Sequence, residues 1–265
     1  MDTIWLWVLA ATIVAGVGSV WVAAWLTHGV LRRYTQHMLS FAAGALLGTA
    51  FLHLMPEALE TGGDPHTLLT TLLGGLVFFF VLDKAELYHH GHEHGGGPGH
   101  GVHPHAHGHA HGHDHASGSW VLLLGDSVHA FGDGVLIASA FLVDLHLGLL
   151  AALAVMAHEV PHHMGDLAVV RQASGSDRGA ALKVSMAGTV TALGGMMGVL
   201  LLGQLDAYLP LVLMLASSSF IYVALADLIP QLHKRPGLRA ALAQLLWLGL
   251  GLGLIVLASG GMHQH

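Results

Sequence analysis

The sequence predicts an all-α membrane protein with eight transmembrane helices, on the grounds of its composition, its apolar runs and the placement of its charges. Of its residues, 54% are hydrophobic and only 9% are charged, whereas soluble domains carry about 25% charged residues. Eight apolar segments each reach roughly 20 residues, which is enough for a helix to cross a bilayer. They leave almost no polar surface for a soluble fold. Residues 1–265 are therefore interpreted as a single transmembrane domain in a lipid bilayer.

The eight segments follow one another through mostly short connections. They are rich in Gly, Ala and Ser, which let membrane helices approach closely. The first segment follows a terminus without a basic region, so we expect a retained helix rather than a cleaved signal peptide. The segments run Ile4–Thr27, His37–Leu59, Thr67–Tyr88, Trp120–Val143, Leu147–Val170, Ala180–Gly203, Tyr208–Leu232 and Ala240–Ser259.

The basic residues predict how the chain is oriented in the membrane. All 9 Lys and Arg residues lie in alternate connections, and the opposite connections carry Asp64, Asp144 and Asp206 instead. The positive-inside rule then places the basic connections in the cytoplasm and both termini outside it. The net charge of -7 argues against nucleic acid as a partner. The absence of cysteine excludes disulfides and thiolate metal ligands.

The connection between the third and fourth segments has a composition of its own. Gly and His alternate through it, and it holds a large share of the chain's 24 histidines. Because this composition cannot build a packed core, we predict that residues 89–119 form a disordered cytoplasmic loop. Its imidazoles favour weak binding of several transition-metal ions. Two alternatives are left open. Such binding would serve either transport or only buffering, or the loop is simply a solvated linker.

Ionisable residues cluster within the fourth and fifth segments. His129 and Asp133 are one helical turn apart, as are His158 and His162, with Asp166 a further turn along. Each ionisable group at bilayer depth costs roughly 2.5–3.5 kcal/mol on insertion scales, so the cluster needs a compensating partner. Imidazoles and carboxylates together suit Zn²⁺ and also accept Fe²⁺, Mn²⁺, Co²⁺ or Cd²⁺. Helix packing would explain one such histidine, but the full cluster predicts a divalent metal site.

Two motifs in these segments resemble the signatures of the ZIP (Zrt-/Irt-like protein) family of divalent metal transporters. His-x-Phe-x-Asp-Gly begins at His129, and His-Glu-x-Pro-His-x-x-Gly-Asp begins at His158. The second motif is most similar to the form found in the branch with His-rich loops. The resemblance covers the whole chain and implies a bundle in which helices two, four, five and seven surround the metal pathway. It also implies transport into the cytoplasm from a midplane site, without enzymatic activity.

The resemblance also implies roles for individual residues. The family's primary transport site matches His129, Asp133, His158 and His162. Glu159 matches an acidic ligand of a second, adjacent site. Ala130 stands where the family usually has Asn, and the sixth segment has no acidic residue between Lys183 and Asp206. We therefore expect one principal site, with Glu159 either coordinating the ion or supporting a ligand.

The second and seventh segments supply two further candidate metal-site residues. The stretch His53–Glu57 resembles the family's His-x-x-Pro-Glu pattern, and we expect His53 to line the way to or from the site. Asp227, near the cytoplasmic end of the seventh segment, is a candidate relay for the departing ion. The alternative for Asp227 is an interfacial charge partner for Lys234 or Arg235.

Two other functions compete with metal uptake. An intramembrane zinc metalloprotease would use His158 and His162 of the H-E-x-x-H pattern, with Glu159 as general base. Pro161 within that pattern and the additional ligands on the fourth segment argue against it, because a catalytic zinc must keep a position for water. A metal exporter of the cation-diffusion type is the other alternative. Such exporters usually have six helices and a cytoplasmic carboxy-terminal domain, so the eight predicted helices argue against it.

We accordingly predict no prosthetic group and a transported divalent ion, most simply Zn²⁺. Short loops and a compact chain favour a bacterial inner (plasma) membrane. The physiological metal, coupling to protons or anions, and formation of a homodimer are left open.

Overall fold

The computed structural model describes the backbone of residues 2–27, 35–61, 63–91, 114–203, 206–234 and 237–262. Within these ranges all regular structure is helical, and eight long helices follow one another, which confirms the predicted fold class. Two of them contain a short π-helical segment, and a 3₁₀ turn, Asp206–Tyr208, precedes the seventh. The helices are α1 (Asp2–Ile13, π segment Val14–Gly18, Ser19–Thr27), α2 (Thr35–Thr49, π segment Ala50–Leu54, Met55–Glu60), α3 (Pro65–Gly91), α4 (Asp114–Val143), α5 (Leu145–Ser174), α6 (Asp177–Leu202), α7 (Leu209–Lys234) and α8 (Leu238–Met262).

Seven of the eight described helices contain a stretch long and apolar enough to cross a membrane. The remaining one, α5, has 30 residues but carries His158, Glu159 and Asp166 along its length. The most apolar windows of α2 and α4 are 56% buried and those of α6 and α7 are 50% buried, whereas α3 and α8 reach only 11% and 17%. The most buried of these windows therefore belong to α2, α4, α6 and α7. The arrangement of helices two, four, five and seven around a metal pathway stays a prediction.

Local capping fixes how α4, α5 and α6 are connected. A single residue, Asp144, separates α4 from α5, and its side chain accepts hydrogen bonds from the backbone N–H groups of His146 and Leu147 at 2.8 and 3.2 Å. This tight turn makes α4 and α5 antiparallel neighbours. At the other end of α5, Gly175 adopts φ 65°, a left-handed conformation that favours glycine, and Ser176 caps α6.

Two further polar contacts fix helix ends outside the apolar spans. The Asp64 carboxylate accepts hydrogen bonds from the backbone and hydroxyl of Thr67 at 2.9 and 2.8 Å, which lower the pKa of Asp64. Arg171 lies 3.2 Å from Asp177 and donates to the Thr27 hydroxyl, also at 3.2 Å. The end of α1 is thereby tied to the α5–α6 connection.

The α4–α6 contact depends on glycine. A Cβ atom at Gly194 of α6 would overlap the backbone oxygen of Phe131, and one at Gly134 of α4 would overlap the backbone oxygen of Thr191. A Cβ at Gly198 would come within 2.8 Å of an alanine side chain of α4. The two helices therefore approach at backbone distance, as small residues permit in membranes.

Helices α3 and α4 extend into the two ends of the predicted histidine-rich loop. α3 extends to Gly91 and α4 begins at Asp114, so the backbone is helical at both ends of 89–119. Residues 92–113 lie outside the described residues. The disorder and the metal binding of this loop stay predictions.

Candidate metal centre

The antiparallel helices α4 and α5 bring ionisable residues to the same depth. At 1.5 Å per residue, His129 on α4 lies about 22 Å from the turn at Asp144, and His158 on α5 lies about 21 Å from it. Asp133 lies one helical turn closer to Asp144 than His129 does. These distances are shorter than the hydrocarbon core of a bilayer, which is about 30 Å thick, so the side chains lie within the length of helix that can span it.

Four side chains converge between the two helices. Nε2 of His158 lies 3.1 Å from Oδ2 of Asp133 and 3.2 Å from Oε1 of Glu159. Nε2 of His129 lies 3.8 and 3.7 Å from the same two oxygens. One nitrogen or oxygen of each residue falls within 4.8 Å of the others. These four residues, His129, Asp133, His158 and Glu159, are called the central group.

Hydrogen bonding directs lone pairs into the central group. Nδ1 of His158 lies 3.3 Å from the backbone oxygen of Ala154, which only accepts hydrogen bonds. In the neutral imidazole, Nδ1 therefore carries the hydrogen and Nε2 carries a lone pair. Nε2, Oδ2 of Asp133 and Oε1 of Glu159 are all buried without a hydrogen-bond partner. Converging lone pairs at this depth require a cation or a proton between them.

A second set of side chains lies beside the central group. Nδ1 of His162 is 3.2 Å from Oδ2 of Asp166 and 3.5 Å from Oδ1 of Asp126. These three residues are called the flanking group. The sequence placed His162 with the primary site, and its ring centroid is indeed 5.8 Å from that of His129. Its nitrogen nevertheless groups with the two aspartates, because His162 lies a full turn farther along α5 than His158.

His163 borders both groups from a fully buried position. Its Nε2 lies 3.1 Å from Oε2 of Glu159, and its Nδ1 lies 3.0 Å from the Ser19 hydroxyl oxygen of α1. The Ser19 hydroxyl donates to the backbone oxygen of Gly16 at 2.7 Å, so its oxygen is free to accept from His163. Asp126, Glu159 and His163 also offer three atoms within 4.8 Å of one another.

The remaining predicted residues lie apart from these groups. His53, in the π segment of α2, belongs to no ligand-sized cluster among the described residues. It lines an open cavity of about 210 Å³ together with Glu57, Asp144 and His146, at the end of the bundle where α4 meets α5. A place along the approach to the site stays a prediction for His53. The side chain of Asp227 lies outside the described residues, so its relay role also stays a prediction.

Comparison with known proteins identifies the family. The profile of the family described as ZIP Zinc transporter matches residues 2–259. The chain belongs to the ZIP family. Zinc transporter ZIP13 of Pongo abelii is 30% identical over 98% of this chain and 79% of its own length. Zinc transporter ZIP13 of Mus musculus is 28% identical over 84% of this chain and 70% of its own length.

A second group of relatives is longer than this chain. Zinc transporter ZIP4 of Homo sapiens is 30% identical over 78% of this chain but only 40% of its own length. This ZIP family member therefore spans less than half of that relative.

Membership of the ZIP family fixes the general class of function. The protein is a multi-pass integral membrane protein of a divalent metal transporter family, and not an enzyme. The H-E-x-x-H pattern at His158 is accordingly part of a transporter motif rather than of a protease. The relatives reported above are animal proteins, so a bacterial inner membrane stays a prediction.

The sequence analysis did not name Asp126 as a candidate metal ligand of this ZIP chain, although its spacing along the helix indicated one. Asp126 lies one turn before His129 and two turns before Asp133, which places all three on one helical face. It is also as far along the chain from Asp144 as His162 is. In a hairpin of two antiparallel helices, positions equally distant from the turn meet at the same depth.

Proposed function

We propose that this ZIP protein carries Zn²⁺, or an ion of similar chemistry such as Fe²⁺, Mn²⁺, Co²⁺ or Cd²⁺, across the membrane into the cytoplasm. The ion binds at the central group. The observation that supports this proposal is the convergence of two imidazoles and two carboxylates from α4 and α5 deep within the membrane spans. Relatives named zinc transporters support the choice of metal.

The charge and the donor atoms of the central group suit a transported divalent ion. Asp133 and Glu159 together supply two negative charges, which balance a divalent cation where isolated charge is costly. Nitrogen and oxygen donors are common zinc ligands. The group contains no thiolate, so the ion can leave as well as enter. His129 keeps 29% of its side chain accessible and is the most exposed member of the central group.

The direction of transport is supported by the two ends of the bundle. The cavity next to Asp144 is lined by acidic residues, including Glu57 and Glu60, which attract cations from that side. The positive-inside rule makes this the extracytoplasmic side. On the cytoplasmic side, the histidine-rich stretch 89–119 would accept the released ion. We place the protein in a bacterial inner membrane on the basis of its compact loops.

Metal flux into proteoliposomes tests the function and the site together. Radioactive zinc uptake is measured for the wild type, Asp133→Asn and His158→Ala, with Fe²⁺, Mn²⁺ and Cd²⁺ as competitors. The two central-group variants are expected to lose at least about tenfold in flux, because ligand contacts are removed. The matched control is His66→Ala, which removes an exposed imidazole at the start of α3 and should leave flux unchanged.

The outcomes separate the function from the site. If the wild type moves none of these metals, the proposed function is wrong. If Asp133→Asn and His158→Ala transport as the wild type does, transport occurs but the central group is not its site.

A further inference from the structure

We propose that a cavity between α1, α2, α5 and α8 binds one acyl chain of an anionic phospholipid from the cytoplasmic leaflet. The cavity has a volume of about 610 Å³, within the range of about 300–1,000 Å³ that is typical of ligand sites in proteins. Val22, on its α1 side, is 38% exposed, so the cavity reaches the outer surface of the helix bundle. The residues that line it include Val22, Leu26, Met38, Leu153, Trp247 and Leu254.

The lining of the cavity selects a hydrocarbon occupant. Every side chain that lines it is aliphatic, aromatic or a thioether. Water or an ion would lose hydrogen bonds on entering, and an empty cavity forfeits the van der Waals contacts of its walls. A lipid chain supplies those contacts without placing a polar atom in the cavity. The longest segment outside the described residues, 92–113, consists mostly of Gly and His, so it offers no comparable apolar chain.

Close contacts between helices keep the cavity from collapsing. A Cβ atom at Gly44 of α2 would overlap the backbone oxygen of Leu248 on α8. On the other side of the cavity, a Cβ atom at Gly16 of α1 would overlap the backbone oxygen of Gly188 on α6. Both helix pairs therefore pack at backbone distance. Neither pair can move into the space between them without losing that contact.

Trp247 forms a fixed part of the cavity wall. Its ring stacks on that of His37 with the centroids 5.8 Å apart, and Phe41 meets it edge-on at 6.5 Å. Phe41 itself also lines the cavity. A side chain held by two neighbours loses little conformational freedom when a ligand binds, which favours binding.

The cytoplasmic ends of the same helices carry positive charge for a lipid phosphate. Arg239 of α8 is exposed and precedes Trp247 by eight residues, which is about 12 Å along the helix and about 80° around it. Arg171 of α5 contacts Thr27 at the end of α1, but it also pairs with Asp177. We therefore assign the main phosphate contact to Arg239. Basic residues on the cytoplasmic side of a membrane attract the anionic lipids of that leaflet.

The cavity adjoins the helix that supplies two members of the central group. Ala157 and Val160 of α5 line the cavity, and they flank His158 and Glu159 in the sequence. A bound acyl chain therefore packs against the same turns of α5 that carry these two side chains. The existence of the lipid site does not depend on the proposed function.

Native mass spectrometry of the purified full-length protein tests the inference, with phosphatidylglycerol and phosphatidylcholine of identical acyl chains as probes. One phosphatidylglycerol is expected to bind about fivefold more tightly than phosphatidylcholine, and Arg239→Gln should weaken its binding about fivefold, because one basic contact is lost. The matched control is Arg178→Gln, at an exposed arginine near the start of α6, which should leave binding unchanged.

A second pair of variants tests the cavity itself. Leu254→Trp fills the cavity and should remove the binding of phosphatidylglycerol. Leu257→Trp is the matched control, since this position on the same helix is 76% exposed and lies outside the cavity; it should bind the lipid as the wild type does.

Several results would overturn the inference. Equal binding of the two lipids shows that the headgroup charge is not recognised. Phosphatidylglycerol binding that is unchanged in Arg239→Gln or in a folded Leu254→Trp shows that the lipid binds elsewhere on the surface. If Leu254→Trp does not fold, the comparison of Arg239→Gln with Arg178→Gln decides alone. A wild type that binds cholesterol in place of phosphatidylglycerol, or that buries the cavity in a dimer, also contradicts the proposal. Zinc flux is not measured, so a failure of the proposed function leaves these results unaffected.

Discussion

The two faces of α4 make opposite kinds of contact. Toward α6, Gly134 and Phe131 meet the partner helix at backbone distance, and Gly194 leaves no space for a Cβ atom. Toward α5, the same helix presents His129 and Asp133 to the ligand atoms of that helix. Oδ2 of Asp133 is buried there without a hydrogen-bond partner. One face is filled by apolar contact, and the other is lined by ionisable groups.

The difference shows where stability comes from and where the chemistry lies. Close backbone approach gains dispersion energy and holds membrane helices together. Buried, unpaired carboxylates and imidazoles reduce stability. The α4–α6 contact therefore fixes the position of α4, and this allows the α4–α5 contact to keep an arrangement that needs a bound cation or a proton.

The largest effect is expected from filling the α4–α6 contact. Gly194→Leu would drive a side chain into the backbone of Phe131 and should lower the stability of the fold by about 3 kcal/mol or more. Thermal unfolding and size-exclusion profiles of the purified protein measure this. Gly249→Leu on α8 is the matched control, since a Cβ there meets nothing within 4 Å. A monodisperse Gly194→Leu protein with wild-type stability would show that the contact is dispensable.

The second-largest effect is expected at the α4–α5 contact, where the contribution of zinc binding to stability can be measured apart from that of helix packing. Asp133→Asn removes one buried negative charge, so the metal-free protein should be at least as stable as the wild type. Zinc at a hundred times its dissociation constant stabilises a single site by about 2.7 kcal/mol, and the variant should lose this contribution. Thermal unfolding with and without zinc measures both quantities. His66→Ala, at an exposed imidazole at the start of α3, serves as the control. An undiminished zinc response would remove Asp133 from the site.

The smallest effect concerns the support that α1 gives to His163. Ser19→Ala removes the hydroxyl that contacts Nδ1 of His163 at 3.0 Å. Zinc affinity should fall by up to about tenfold, and the free energy of unfolding by about 1 kcal/mol. The zinc dependence of flux gives the affinity. Ser139→Ala is the matched control, because its buried hydroxyl bonds only to Leu136 within α4. Equal affinities in the two variants would show that the Ser19 contact is merely structural.

The eight helices were predictable because a bilayer itself requires long apolar segments with satisfied backbones. Their ends were less predictable. α4 begins at Asp114 and α5 continues to Ser174, beyond the predicted limits Trp120 and Val170. Polar residues continue a helix past the membrane surface, so hydropathy does not mark where it stops. Hydropathy gave no signal for the π segments either, because it does not report how a helix is wound.

The central group was partly predictable, because helical spacing and depth select His129, Asp133 and His158. The separation of His162 from them was not, because it depends on how far α4 and α5 are offset along their axes. The Ser19–His163 contact joins residues 144 positions apart. A contact between distant helices depends on the rotation of each about its own axis, which the sequence pattern of neither helix specifies.

The π-helical segment Val14–Gly18 ends immediately before Ser19. A π turn lengthens the hydrogen-bonded loop by one residue, and one residue of an α-helix corresponds to a rotation of about 100°. The π segment therefore changes the rotation of Ser19 relative to the first half of α1. The hydroxyl that contacts His163 is thus placed by a local irregularity in a helix that contributes no ligand to the central group.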